Sequence, residues 1–369
     1  MKILLLGRYT ENEALSGPEK FSKRLLSYLH EKNLNIIFID YYFKDRSDAN
    51  FLNRLFGKKL LKSEPLVLRL GIFRIFGILC KTKPDVIHIV NLERFQIPIY
   101  LFKKLLRLRV LTTFHGSLVY EIQHSKYNYS VLQKLKIHIL ERLALNKSDI
   151  RIFVSNLLKN WFEQKYQIND QKNFVIYSGI DPEFIVERRI EFNEPFKFVF
   201  YNGNAQYLDR GLNFVFETLQ EIDKFQIELF VVGEQISNFA GSEKLKVFWS
   251  KIFKRKDLIN FLMDKHFIIK GPVVDSFSIF VGECMSLGII PIIHKKVGIS
   301  EFIKDGVNGF LYPIEDNREV KMIIKKILGM KNNLKEVSEN CRKTALQLQW
   351  PEQLKEYEKV YASIIRKKN

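Results

Sequence analysis

The stretch Phe267-Ile-Ile-Lys-Gly-Pro-Val-Val-Asp-Ser-Phe-Ser-Ile-Phe-Val-Gly-Glu-Cys-Met-Ser-Leu-Gly-Ile-Ile-Pro-Ile-Ile-His294 reads as a strand, a helix and a second strand. An apolar run from Phe267 is closed by Asp275. The next residues enter a helix that ends near Gly288, a natural C-terminal stop, and Ile289–Ile293 forms the following strand. Two apolar strands joined through one helix argue for a parallel pair in one sheet. Inside this unit a single carboxylate, Glu283, stands among apolar neighbours, eight positions after Asp275. A lone acid in a core-like segment is costly unless something hydrogen-bonds it.

The same alternation extends in both directions. Strand-like segments at Lys2–Leu6, Asn35–Ile39, Asp85–Ile89, Val110–Phe114, Ile150–Val154 and Asn173–Ile176 are separated by amphipathic stretches such as Glu19–Leu29 and Val131–Leu145. The polar segment Val186-Glu-Arg-Arg-Ile-Glu-Phe-Asn-Glu-Pro195 interrupts the rhythm. It restarts with Phe196–Tyr201, Gln226–Val232 and Leu245–Trp249 before the quoted unit. The expectation is an α/β protein with two similar parallel-sheet domains, residues 1–186 and 187–349, and a closing helix within 350–369. Ligands of such sheets sit beyond the carboxyl ends of the strands, and a cleft between two units is a favoured place.

Composition narrows the function classes. With 369 residues, 46% hydrophobic and 27% charged, the chain suits a globular protein of two domains. Three scattered cysteines, Cys80, Cys284 and Cys341, give no zinc spacing or disulfide framework, so a reducing compartment is expected. The opening apolar residues are too few for a signal peptide, and Leu66–Cys80 is broken by Arg69 and Arg74. An integral membrane protein is therefore not expected.

The net charge is +18, and residues 51–150 hold eighteen Lys/Arg against six Asp/Glu, two-thirds of the excess. Lys58–Lys62, Arg69–Arg74 and Pro98–Arg109 read as cationic, aliphatic, helical segments suited to an anionic membrane surface. An ordinary solvated helix face is the alternative. No recognition fold or aromatic platform supports nucleic acid as a partner.

Several residues could carry chemistry. Backbone amides of Ser276, Phe277 and Ser278 at the start of the helix would form an anion site. Glu283 can accept two hydrogen bonds from a vicinal diol such as a ribose, and Asp275 can do so for another polyol. The alternative is that Asp275 caps the helix and Glu283 pairs with a Lys or Arg from elsewhere in the fold. Phe198–Gly211 is a strand, a glycine turn at Gly203-Asn204, and then Arg210 at the mouth of a helix, able to clamp a phosphate or to pair with Asp209 or Glu217. His115 follows an apolar strand and faces the cleft, or is a satisfied, partly buried histidine. Ser16-Gly-Pro-Glu19 has capping-box spacing, and Gly17 would also let a phosphate approach the backbone.

In their order, these motifs resemble the retaining, nucleotide-sugar-dependent glycosyltransferases of the GT-B fold, family four (glycosyl transferases group 1). Ser16–Glu19 resembles the family's Gly-Gly-x-Glu entry. Pro84–His88 and Thr113–His115 resemble its N-terminal strand motifs, and Val154-Ser155 and Ile176–Asp181 its Val-Ser and Pro-Asn-Gly-Val-Asp segments. Asp275 and Glu283 stand at Glu-x7-Glu, Gly306–Gly309 at a late turn, and Trp350–Tyr361 at a helix crossing back to the first domain. No single motif is specific, but the order is.

The resemblance implies two Rossmann-like domains facing a cleft, the first for acceptor and the second for a UDP-, GDP- or dTDP-sugar donor. Glu283 would bind ribose and Asp275 the transferred sugar. The amides of Ser276–Ser278 would meet sugar or diphosphate. Arg210 would neutralise the leaving diphosphate, Gly17 would lie against it, and His115 would touch the sugar's C6 hydroxyl. No metal or cofactor is implied, since cations and helix termini hold the diphosphate.

Three departures stand out: Asn204 replaces a cation, Pro18 replaces a glycine and its amide, and Asp275, Ser276 and Ser278 replace Glu and two glycines. Arg8 is a candidate substitute cation or a solvated loop charge. The reading is a cytoplasmic hexosyl- or deoxyhexosyltransferase, peripheral to the inner face of the membrane. It acts on a glycan or lipid-linked acceptor in cell-surface polysaccharide or lipopolysaccharide synthesis. An epimerase or hydrolase on the same fold and a non-catalytic partner subunit are the rivals.

Overall fold

The computed structural model describes residues 1–10, 17–41, 48–123, 128–168, 171–188, 190–203, 211–235, 239–251, 254–313 and 315–366. The first unit contains strands β1 (Lys2–Leu6), β2 (Asn35–Tyr41), β3 (Lys58–Lys62), β4 (Val67–Leu70), β5 (Val86–Ile89), β6 (Val110–Phe114), β7 (Ile150–Phe153) and β8 (Asn173–Val175). They form one sheet in the order β3-β4-β2-β1-β5-β6-β7-β8, parallel except for the β3–β4 hairpin. Its helices are α1 (Gly17–Glu31), α2 (Phe51–Phe56), α3 (Ile72–Thr82), α4 (Ile97–Phe102), α5 (Leu118–Gln123), α6 (Val131–Lys147) and α7 (Asn156–Tyr166).

The second sheet, β11-β10-β9-β12-β13-β14, is parallel throughout. Its strands are β9 (Phe196–Gly203), β10 (Ile227–Gly233), β11 (Leu245–Ser250), β12 (Phe267–Lys270), β13 (Ile290–His294) and β14 (Phe310–Tyr312). Helices α8 (Leu212–Gln220), α9 (Arg255–Leu262), α10 (Ile279–Ser286), α11 (Asn317–Gly329), α12 (Lys331–Leu346) and α13 (Trp350–Arg366) complete the chain.

Each sheet has one place where the direction of winding reverses: between β1 and β5 in the first and between β9 and β12 in the second. Such switch points open a crevice at the strands' carboxyl ends. The core follows from layering. Helices α1 and α13 bury Phe21, Leu25, Trp350, Leu354, Tyr357 and Tyr361 on one face of the first sheet. Helices α3, α4, α6 and α7 cover the other face, and that core runs on without a break through Ile180 and Phe184 to Phe277, Val281 and Met285 of the second unit.

α13 is fixed to the first sheet by polar bonds as well. His88, buried in β5, joins the Tyr361 hydroxyl at 2.6 Å through Nδ1 and Thr113 Oγ1 at 2.8 Å through Nε2.

Two expectations are corrected. Lys58–Lys62, expected as a helical membrane segment, is the edge strand β3, where exposed lysines suit an unpaired sheet edge. Arg69 is no surface cation: its guanidinium is buried against Asp40 and Asp48, both at 2.9 Å. A cation inside an apolar strand finds its acids on the neighbouring strand β2 and in the segment before α2, and composition alone does not show that.

Candidate active site

The quoted stretch builds one wall of the cleft, with a helix start later than expected. α10 begins at Ile279, and Ser278 before it has φ +72°, a left-handed conformation that ends the loop before helical geometry begins. Ser276 and Phe277 are therefore loop residues and not a helical first turn. Their backbone is braced by the following segment: Gly298 N–H donates to Asp275 O at 2.8 Å and Ile299 N–H to Phe277 O at 2.9 Å. Position 298 must be glycine, since a β-carbon there would lie 2.1 Å from Ser276 O. The Phe277 ring is buried beside Tyr177 and Phe302, so only its backbone is presented to the cleft.

Asp275 is not the helix cap. Its Oδ1 accepts from Phe277 N–H at 3.3 Å, and its Oδ2 pairs with Lys270, the last residue of β12. Lys270 Nζ also lies 3.3 Å from Ser278 Oγ. Across the cleft, Ser276 Oγ donates to the backbone carbonyl of His115 at 2.5 Å. The two motifs, 161 residues apart, thus meet directly.

His115 sits after β6 with its Nε2 3.1 Å from Val90 O, at the first sheet's switch point, and its ring against Phe21 at 4.9 Å. Burial pushes its pKa down to about 4, against a weaker opposing pull from the Val90 carbonyl. The ring is neutral at pH 7. A nitrogen bonded to a carbonyl carries the proton, so Nδ1 is an acceptor.

Glu283, on α10, is 1% exposed and ion-paired with Lys20 of α1 at 2.6 Å. The acid has found a partner from elsewhere in the fold. Burial pushes its carboxyl above the usual range, with Lys20 opposing. Lys20 is less sealed, at 16% exposure; burial lowers its pKa but attraction to Glu283 outweighs that, and the ammonium is held charged. Beside this pair, buried Asp181 is gripped by Arg24 of α1 at 2.7 Å and Arg255 of α9 at 2.9 Å. α1 therefore binds the second unit directly through Glu283, while Asp181, at the end of the first unit, is shared between α1 and α9. Gly17 at its start is close enough to α10 that a β-carbon would sit 3.3 Å from Ile279 Cδ1.

Gly203 ends β9 with φ +63°, its carbonyl accepting from Glu234 N–H at 3.0 Å. Asn204 and Arg210 lie outside the described residues. Arg8 joins Glu93 at 2.8 Å instead of standing as a solvated loop charge. The structure thus brings His115 and the Asp275–Ser278 loop into contact and sets Gly17 and Lys20 of α1 against Ile279 and Glu283 of α10, with Gly203 on the strand beside β12. Sequence reasoning missed Lys20 and Lys270. Lys20 looks like any surface charge on an amphipathic helix. Lys270 did carry a signal, as a cation at the end of an apolar strand. Among the described residues, no group of three or more His, Cys, Asp or Glu is placed to hold a metal ion.

Comparison with known proteins agrees with this architecture. Glycosyltransferase Family 4 matches residues 15–184, and Glycosyl transferases group 1 matches residues 184–344. The chain belongs to the group 1 glycosyltransferases of the GT-B fold.

An uncharacterized glycosyltransferase of Methanocaldococcus jannaschii is 23% identical over 272 residues, 72% of this chain and 71% of its own. Similar solved structures include sucrose-phosphate synthase from Thermosynechococcus elongatus, with TM-score 0.74, 13% identity and 99% of both chains covered. The Anabaena protein HepE in complex with UDP-glucose has TM-score 0.70 and 15% identity, with 98% of this chain and 100% of its own covered. The lipopolysaccharide outer core galactosyltransferase WaaB has TM-score 0.71, 14% identity and full coverage of both chains. At these identities the structural likeness speaks for the fold of this glycosyltransferase.

Proposed function

We propose that this glycosyltransferase moves a hexose or deoxyhexose, with retention, from a UDP-, GDP- or dTDP-sugar to a glycan or lipid-linked acceptor at an anionic membrane surface. The observation that carries the donor half is the meeting of the Asp275–Ser278 loop with His115 across the cleft, beside buried Glu283. In this reading Glu283 exchanges its contact with Lys20 for the ribose diol. Asp275 and the neutral His115 ring accept from sugar hydroxyls. Gly17, Gly203, Asn204 and the amides of Ser276–Ser278 lie along the diphosphate with Arg210.

The bond from the anomeric carbon to the diphosphate oxygen breaks, and the acceptor oxygen forms its bond from the same face. The acceptor's proton passes to the departing diphosphate. Cations and amides take up the charge of that leaving group, with no metal required. Bound UDP-glucose in the HepE structure supports a nucleotide-sugar donor.

The membrane half rests on one helical layer. Exposed Phe73, Leu101, Phe102, Leu105, Val131, Leu132, Leu135 and Ile139 lie on α3, α4 with its following turn, and α6. Arg74, Lys104, Arg107, Lys134 and Lys136 are interspersed among them and also exposed. The single acid of residues 72–82, 97–109 and 131–147 is Glu141, which is buried against Ser117 and Tyr166. A cationic face whose helices α3, α4 and α6 carry no exposed acid, with apolar side chains to insert, fits an anionic bilayer. Among the described residues no helix is long and apolar enough to cross a membrane.

The test is transfer of labelled sugar, from a panel of UDP-, GDP- and dTDP-hexoses, to lipid extract presented in anionic vesicles. The expected result is a labelled lipid or glycan product retaining the donor's anomeric configuration, and vesicle binding that weakens with salt. Donor consumption without a glycosylated product, or no vesicle binding at low salt, would contradict the reading.

A further inference from the structure

We infer that Lys270 is a donor-binding cation of this enzyme, contacting the diphosphate at the switch point of the second sheet. The inference rests on the donor reading given above and adds a residue to it. β9 and β12 are the strands between which the sheet reverses its winding, and Lys270 is the carboxyl-terminal residue of β12. Its position is built tightly. The buried Tyr312 hydroxyl donates to its backbone carbonyl. The next residue, Gly271, packs directly on Gly211, the left-handed residue that caps α8: a β-carbon on Gly211 would lie 2.7 Å from Gly271 Cα.

Lys270 is thus wedged between the N-terminal end of α8 and the Asp275–Ser278 loop. Its ammonium bonds Asp275 and reaches Ser278 Oγ, with 16% of the side chain exposed. An ammonium has three donors, so it can hold Asp275 and a phosphate oxygen at once. The crevice it occupies is where an open parallel sheet takes its ligand, and the helix end beside it favours the same anion. Lys270 therefore supplies positive charge at the carboxyl end of the strand next to β9, in a sequence that has Asn204 at an expected cation.

A different role, acting only through Asp275, makes a different forecast. The diphosphate without sugar would not sense Asp275, whereas it would sense a direct cation. Isothermal titration with UDP, GDP, dTDP and their glucose conjugates on wild type, Lys270→Met and Lys270→Arg separates the two. The expected result is a loss of about ten- to a hundredfold for both diphosphate and sugar conjugate in Lys270→Met, with most affinity kept in Lys270→Arg. Thermal unfolding without nucleotide checks that the variants fold, and Lys270→Gln, which keeps a polar side chain without the charge, carries the test if Lys270→Met does not fold. Unchanged affinity, or a loss confined to the sugar conjugate, overturns the assignment while leaving the donor reading intact. Wild type that binds none of these nucleotides overturns both.

Discussion

Glu283 shows how a residue's surroundings decide its meaning. An isolated carboxylate in an apolar helix demands a partner, and the structure supplies Lys20 from 263 residues away. Because both groups are largely withdrawn from water, removing one leaves a buried charge unpaired, which costs more than the pair itself contributes. Lys20→Met is expected to destabilise the fold by about 3 kcal/mol, measured by urea unfolding. Adding Glu283→Gln to that variant should recover most of the loss. Stability of Lys20→Met equal to wild type would show that the pair is not closed in solution. A short carboxylate, Asp275, is served by the nearer Lys270 in the same way, so both acids of the pair carry a cation from within the chain.

At the scale of elements, α13 belongs to the first unit although it follows the second in sequence. Its attachment is apolar through Trp350, Leu354 and Tyr357, and polar through Tyr361 to His88. Burial holds His88 well below its usual pKa, so it is a neutral ring whose two nitrogens are both satisfied. Tyr361→Phe removes one partner and leaves a buried nitrogen unbonded. The expected cost is about 1–3 kcal/mol, with faster amide exchange in α13 than elsewhere. Unchanged exchange in α13 would show that the apolar contacts suffice.

Much at this scale was legible from sequence, because periodicity is local. β6, the span of α13 and most β-strands fall where alternation and apolar runs place them, as α10 does apart from its start. β3 was misread because Lys-Lys-Leu-Leu-Lys fits a helix face as well as an edge strand, and its hairpin partner decides. The late start of α10 was hidden because Ser278 takes a left-handed conformation on a residue that does not advertise it. Lys20, Arg24 and Arg255 became visible only once α1, α9 and α10 were packed together, since ion pairs across hundreds of residues leave no spacing to read.

For the whole molecule, two α/β units share a continuous apolar core and a line of ionic contacts. One outer layer of the first unit is cationic and apolar, and in the proposed reading a donor held between the units and an acceptor held at a lipid surface would meet on one chain. In the proposed function a nucleoside diphosphate is bound through Glu283. Calorimetric titration of UDP, GDP, dTDP and ADP into wild type and Glu283→Gln tests that role. Wild type is expected to bind at least one of them, and Glu283→Gln to bind it about tenfold or more weakly. Binding of equal strength in both proteins, or none by wild type, would contradict it.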